Sequence, residues 1–248
     1  NLTAKYEKKQ RLDQQTNAKY AAMIESMDGS VGTVLETLDR LDLAANTIVI
    51  FFSDNGGHGG VTSNAPLRGS KGMLYEGGIR VPMAIRWPGV VVPGTVCEEP
   101  VIGIDLYPTI LEATQTNRPA KTRLDGTSLM PLLNNAKSKI FRQAIYWHFP
   151  AYLQGYTSQH GPFRTTPCGA VRMGDWKLIE YFEDGSLELY NLKSDLGEER
   201  NLAEIETKRL TQLHTMLKAW RLSTNAPVPK EKNPKFDPVA YRNAFKRD

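Results

Sequence analysis

Two cysteines in 248 residues are too few for a disulfide-built scaffold. Cys97 and Cys168 lie far apart, and the sequence leaves open whether they pair. No window approaches the ~18 consecutive apolar residues of a membrane span. The four histidines show no zinc-ligand spacing. No leader-like segment heads the chain, because Asn1-Leu2-Thr3-Ala4-Lys5 is polar from the start. Internal repeats are absent. Lysine and arginine are scattered, with no zinc-finger or RNA-binding signature, so no nucleic-acid partner is expected. The net charge of +4 is a mild excess that suits an anionic small molecule without requiring one. What remains is 40% hydrophobic and 23% charged, an ordinary globular composition that fits one large domain or two smaller ones.

The most informative stretch runs from Asn46 to Pro82. Ile48-Val49-Ile50-Phe51-Phe52 is a short apolar run closed by Ser53-Asp54-Asn55-Gly56-Gly57, which predicts a buried strand ending in a loop. In α/β proteins ligand sites lie just beyond the carboxyl ends of such strands. Asp54 and Asn55 put a carboxylate and a side-chain carbonyl there, and the glycines let the backbone turn and approach a bound group. Arg68, Lys71 and Arg80 follow in the same loop. The stretch therefore combines oxygen ligands for a hard cation with positive charge for an anion.

Residues 1–16 carry no apolar periodicity and read as a loop cut from something longer. From Asn17 to about Leu41, apolar residues from Tyr20 to Leu41 share one face and predict a long amphipathic helix. Gly29 and Gly32 within it are expected to permit close packing on a sheet. A helix joined closely to a strand suggests part of a parallel sheet. A second strand, broken by Pro82, is predicted over Ile79–Trp87. Asp105 is placed to cap a short helix with Pro108 in its first turn. Further on, a short helix is predicted at Ser128–Leu133 and a strand at Gln143–Phe149. A long loop, Pro150–Pro167, follows. Strands at 169–173, 176–182 and 186–191, separated by hairpin signals, predict a meander covered by a helix at about Ala203–Leu222. The parts are thus 1–142, an α/β layer; 143–226, a small antiparallel sheet with one packed helix; and 227–248, a basic tail draped over the surface or disordered.

The ordered series of motifs resembles one family. Ser53-Asp54-Asn55-Gly56-Gly57, Leu67-Arg68-Gly69-Ser70-Lys71-Gly72, Tyr75-Glu76-Gly77-Gly78-Ile79-Arg80-Val81-Pro82 and Trp87-Pro88-Gly89 resemble the type I, formylglycine-dependent sulfatases of the alkaline-phosphatase superfamily. Ile104 to Thr109, Leu124 to Leu129, Ala170 to Leu178 and Glu188 to Leu192 resemble downstream segments of the same family. The resemblance implies an α/β fold: part of an alkaline-phosphatase-like sheet, then a small antiparallel sheet with one packed helix. The family's Cys- or Ser-x-Pro-x-Arg nucleophile motif has no match. Ser63-Asn64-Ala65-Pro66-Leu67-Arg68 misses its spacing by one. The expectation is the C-terminal half of a sulfatase, with the formylglycine in a missing N-terminal half.

By this resemblance Asp54 and Asn55 are metal ligands, for calcium or alternatively magnesium. Calcium takes about 6–8 oxygens, so two residues supply only part of its shell. Lys71 matches the lysine that contacts sulfate, which makes it the catalytic candidate and a substrate-binding one. His58 either reaches substrate or caps its loop. His148 and His160 flank the long loop and either line a sugar or aryl pocket or pack between the two parts, the α/β layer and the small sheet. Arg80 is expected to pair with Glu76. The implied partner is a sulfated small molecule or carbohydrate in an extracytoplasmic compartment: periplasmic, secreted or lysosome-like. Raw sheet surface would favour self-association. Two rivals stand beside this: a phosphoester or phosphonate hydrolase of the same superfamily, and a non-catalytic domain that binds sulfated glycans.

Overall fold

The structure is a computed structural model that describes residues 1–9, 15–155 and 163–244. In chain order it contains α1 (Leu2–Lys8), α2 (Ala18–Arg40), β1 (Val49–Phe52), α3 (Glu76–Ile79), β2 (Met83–Arg86), α4 (Leu106–Ala113), α5 (Met130–Asn134), β3 (Ile145–Phe149), β4 (Leu153–Gln154), β5 (Phe163–Thr165), β6 (Cys168–Met173), β7 (Trp176–Tyr181), β8 (Leu187–Asn191), α6 (Thr207–Thr224) and α7 (Pro238–Ala244). The chain divides into two compact units. One holds Asn1–Glu25, Ser53–Pro82 and Gln143–Asp248, and the other Ser26–Phe52 and Met83–Arg142. The glycine-rich loop thus belongs with the C-terminal sheet, whereas the strand that leads into it does not.

The first unit is built on a four-stranded antiparallel sheet in the order β3-β6-β7-β8. Hairpins at Gly174 and Gly185, both at positive φ, join its last three strands, so the meander stands as expected. One face carries Val171, Leu178 and Leu189 against Leu213 and Leu217 of α6. The other face carries Cys168, Ala170, Ile179, Tyr181 and Tyr190 against Met73 and Tyr75 of the glycine-rich loop. Burial on both faces explains the apolar run Cys168–Val171 of β6. Within the described part of the tail, α7 sets Tyr241 edge-on to Tyr181 at 6.4 Å and beside Phe236 at 5.5 Å.

In the second unit β1 pairs antiparallel with β2, from Val49 opposite Arg86 to Phe52 opposite Met83. This corrects the parallel-sheet expectation for β1 among the described residues. The segment after β1, whose one helix is the four-residue α3, returns the chain in the opposite direction. Leu129, Leu132 and Ile140 form this unit's core with Met83, Val101 and Leu106 around them. Asp105 does not cap α4. Its buried carboxylate accepts the Ile102 and Thr127 N–H groups and pairs with Arg142. Engaging one nearby and two distant partners satisfies a buried charge better than one helix N–H would.

Two further expectations change. Residues 2–8 form a helix rather than a loop, capped by the Asn1 side chain and joined by Lys5 to Glu25 at 2.7 Å. Helix α2 has the expected span, but of its residues only Ala22 is buried, and Met23, Ile24, Met27 and Val34 are exposed. Nothing lies within 4 Å of where a Cβ would stand on Gly29 or Gly32, so these glycines do not mediate packing among the described residues. Cys97 is exposed, Cys168 is buried, and both are free thiols.

Candidate functional site

Asp54 and Asn55 stand immediately past the end of β1, as the strand–loop pattern predicted. The Asn55 N–H donates to Asp54 Oδ1 at 2.9 Å, the Asn55 side-chain amide donates to Gly56 O at 2.9 Å, and Ser53 Oγ donates to Asn55 O at 3.0 Å. Asp54 is exposed and Asn55 half-buried. The turn thus holds both oxygen-bearing side chains through local bonds at a strand end.

Glycine is required directly beneath them. A Cβ on Gly56 would lie 1.8 Å from Gly77 O, one on Gly77 2.4 Å from Gly69 O, and one on Gly78 2.1 Å from Met73 O. All three neighbours are backbone atoms, which cannot rotate away. The Gly56 N–H donates to Gly78 O at 3.0 Å, and the Gly77 N–H to Arg68 O at 2.7 Å. Two backbone layers therefore touch with no side chain between them, and α3 is the floor of the Asp54–Asn55 turn.

Lys71 joins the same frame through its backbone, its N–H donating to Gly57 O at 3.0 Å. Asn64 braces the junction: it accepts the Gly57 N–H at 2.9 Å and donates to Gly57 O at 3.1 Å and Gly69 O at 3.2 Å. This bracing role was not read from the sequence, because nothing local marks an asparagine that reaches seven residues back. The Lys71 side chain is exposed. The antiparallel pair β4–β5 also contacts this frame. Arg164 Nε donates to Lys71 O at 3.3 Å and Thr165 Oγ1 to Gly72 O at 2.7 Å, while Leu153 Cδ1 occupies the place of a Gly72 Cβ. Gly72 has φ +89°, which also favours glycine.

The histidines separate. His58 is exposed in the loop, and its Nδ1 accepts the Gly60 N–H at 3.1 Å, so it caps the turn. His148 lies on β3, with Nε2 2.7 Å from Pro227 O and the ring packed near Phe182 and Trp220. These contacts all lie within the Gln143–Asp248 segment of its own unit. His160 lies outside the described residues. Arg80 pairs with Glu76 at 3.9 Å, as expected. Arg68 is structural: its guanidinium stacks 4.1 Å from the Tyr75 ring centroid and donates to Tyr190 Oη and Glu198 O. Burial pushes the Tyr75 and Tyr181 phenols well up, and Glu188 beside them adds to the rise, so both stay neutral donors. Burial likewise pushes the Cys168 thiol up to about 12, which excludes it as a thiolate nucleophile.

The donor set suits a hard cation, since it offers a carboxylate and an amide carbonyl but no sulfur or imidazole. Among the described residues no group of three or more His, Cys, Asp or Glu side chains could hold a metal. The residues present therefore fit part of a calcium or magnesium shell and cannot complete it.

Comparison with known proteins bears on the same residues. A family profile described as N-sulphoglucosamine sulphohydrolase, C-terminal, matches residues 70–225, and one described as Sulfatase matches residues 1–116. A sulfatase of Formosa agariphila is 38% identical over 92% of this chain and 44% of its own length. The steryl-sulfatase of Rattus norvegicus is 39% identical over 61% of this chain and 28% of its own length. The chain thus spans less than half the length of these relatives. Among solved structures, Ps i-CgsB in complex with k-i-k-neocarrahexaose superposes with a TM-score of 0.73 at 27% identity, over 99% of this chain and 51% of that one. A structure described as bound to its substrate D-glucosamine-2-N,6-O-disulfate superposes with a TM-score of 0.70 at 26% identity, over 86% and 42%.

Proposed function

This chain belongs to the sulfatase family of the alkaline-phosphatase superfamily, and from that premise we propose that it is the part of a sulfate-ester hydrolase that supplies metal ligands and a sulfate clamp. The observation that carries the reading is the backbone bond from Lys71 N–H to Gly57 O, because it ties the lysine to the turn that holds Asp54 and Asn55. In this reading Asp54 and Asn55 hold calcium, or magnesium, through their side-chain oxygens. The metal, when bound, draws charge from the sulfate oxygens. Lys71 offers an ammonium, a compact donor suited to a tetrahedral anion. Its fixed backbone anchor lets the charge meet the sulfate without reorganising the loop. The formylglycine nucleophile belongs to sequence outside this chain. His58 serves as a loop cap that faces substrate, and His148 as a packing residue.

A sulfated carbohydrate is the favoured substrate class, supported by the sugar-bound neighbours. The compartment we propose is extracytoplasmic. No helix among the described residues is long and apolar enough to cross a membrane.

The test is sulfate-ester turnover by the full-length protein and its variants. Asp54→Asn and Lys71→Ala are each expected to lower kcat about 10²–10³-fold, the range for a lost electrostatic contact in a catalytic site. The 248-residue chain by itself is expected to turn over nothing. Preferential hydrolysis of phosphate esters by the full-length protein would favour the phosphohydrolase alternative. Glycan binding without turnover, weakened by Lys71→Ala, would favour the binding domain.

A further inference from the structure

We propose that Lys177, held between Glu76 and Glu198, is a positioning residue for the Asp54–Asn55 metal ligands. The inference rests on the sulfatase reading above. Lys177 Nζ lies 3.0 Å from Glu76 Oε1 and 2.8 Å from Glu198 Oε1, and none of the three side chains is more than 2% exposed. Glu198 Oε2 accepts the Glu76 N–H at 2.6 Å, which fixes the first residue of α3. Arg172 and Arg80 stand farther from Glu76, at 3.8 and 3.9 Å. Burial raises the Glu198 carboxyl, and Lys177 together with the Glu76 N–H opposes that rise.

A buried ion cluster is a weak source of net stability compared with apolar residues of the same volume. It is directional, however, and here it joins a rigid sheet to the floor of the site. Lys177 belongs to β7, which is paired on both sides by β6 and β8. Glu76 opens α3, and Glu198 reaches the same short helix by a second route: its carbonyl accepts from Arg68, whose own carbonyl accepts the Gly77 N–H. Gly77 and Gly78 then meet Gly56 backbone to backbone, one residue beyond Asn55. No side chain lies between Gly77–Gly78 and Gly56, so a tilt of α3 passes directly to the turn. Metal ligands tolerate displacements of only about 0.5 Å before affinity falls. The path is a continuous set of contacts, and its coupling is what the experiment measures.

Calcium affinity of the full-length protein is measured by equilibrium titration well below the melting temperature, alongside thermal melts and far-UV circular dichroism. Lys177→Met is expected to weaken calcium binding about tenfold or more with an unchanged spectrum, within the range seen for losing partners that orient metal ligands. Glu198→Gln is expected to act in the same direction, and it decides the question if Lys177→Met does not fold. A lowered melting temperature with native calcium affinity in both variants overturns the positioning role, since a purely structural cluster would give that result. Asp54→Asn separates the two levels. If it leaves calcium affinity unchanged, the metal reading fails and this inference with it. If it weakens binding while Lys177→Met and Glu198→Gln do not, only the positioning role fails.

Discussion

At the scale of single residues, the site depends on what is missing from its side chains. Gly56 has backbone oxygen where its Cβ would be, at 1.8 Å, and the neighbour belongs to α3, which is itself locked beneath by Glu76. An added methyl must therefore push the Asp54–Asn55 turn off its floor. Gly56→Ala is expected to destabilise the protein by about 3 kcal/mol, the upper end for overpacking a tight interior. Chemical denaturation of the variant measures this, and a change below ~0.5 kcal/mol would show that the two layers part easily. Glycine pairs in the sequence announced a turn. The reason for Gly77 and Gly78 was not legible there, because their neighbours are carbonyls of Arg68, Gly69 and Met73, whose approach no local rule sets.

At the scale of elements, helix α6 shows how one face is used for packing and one edge for charge. Leu213 and Leu217 bury against the sheet, while Arg221 and His214 reach Glu180 on β7. Burial pulls the Glu180 carboxyl upward, but the hydrogen bonds and charges of Arg221 and His214 outweigh it and hold the group below the usual 4.5. A depressed native value means that ionised Glu180 stabilises the fold fully above about pH 4.5 and that this contribution drains away as the pH falls through the lower native value. Melting temperatures recorded between about pH 6 and pH 3 should fall more steeply for the native chain than for Glu180→Gln. Parallel curves would show that the pair adds nothing. The meander, its hairpins and α6 were all legible as local patterns. The pairing of β3 with β6 was not, since a segment that holds β4 and β5 separates them.

At the scale of the whole molecule, the chain leaves apolar surface uncovered. Phe51 and Phe52 of β1 are 37% and 39% exposed, and Met23 and Val34 of α2 are 67% and 55% exposed. Strand β1 has a single partner strand among the described residues. Bare strand edges and apolar helix faces promote association. The isolated chain is accordingly expected to self-associate at micromolar concentration, as read by sedimentation velocity. A monodisperse monomer with a cooperative melt would contradict this. The same exposure bears on α2: the helix forms where its periodicity predicts, but among the described residues little covers its apolar face.

The sequence by itself determined the strand that ends in Asp54 and Asn55, the glycine-rich loop, the antiparallel meander with its helix, and the family, because each is written in short-range order. Only the tertiary structure decided that the meander's second face covers Met73 and Tyr75, that Arg68 is structural, and that Lys177 joins two buried carboxylates beneath the loop. The physical reason is separation along the chain. Lys177 and Glu76 meet across 101 residues and Arg68 and Tyr190 across 122. Periodicity and turn chemistry act over a few residues, whereas the burial of a charge depends on which distant partners the fold brings to meet it.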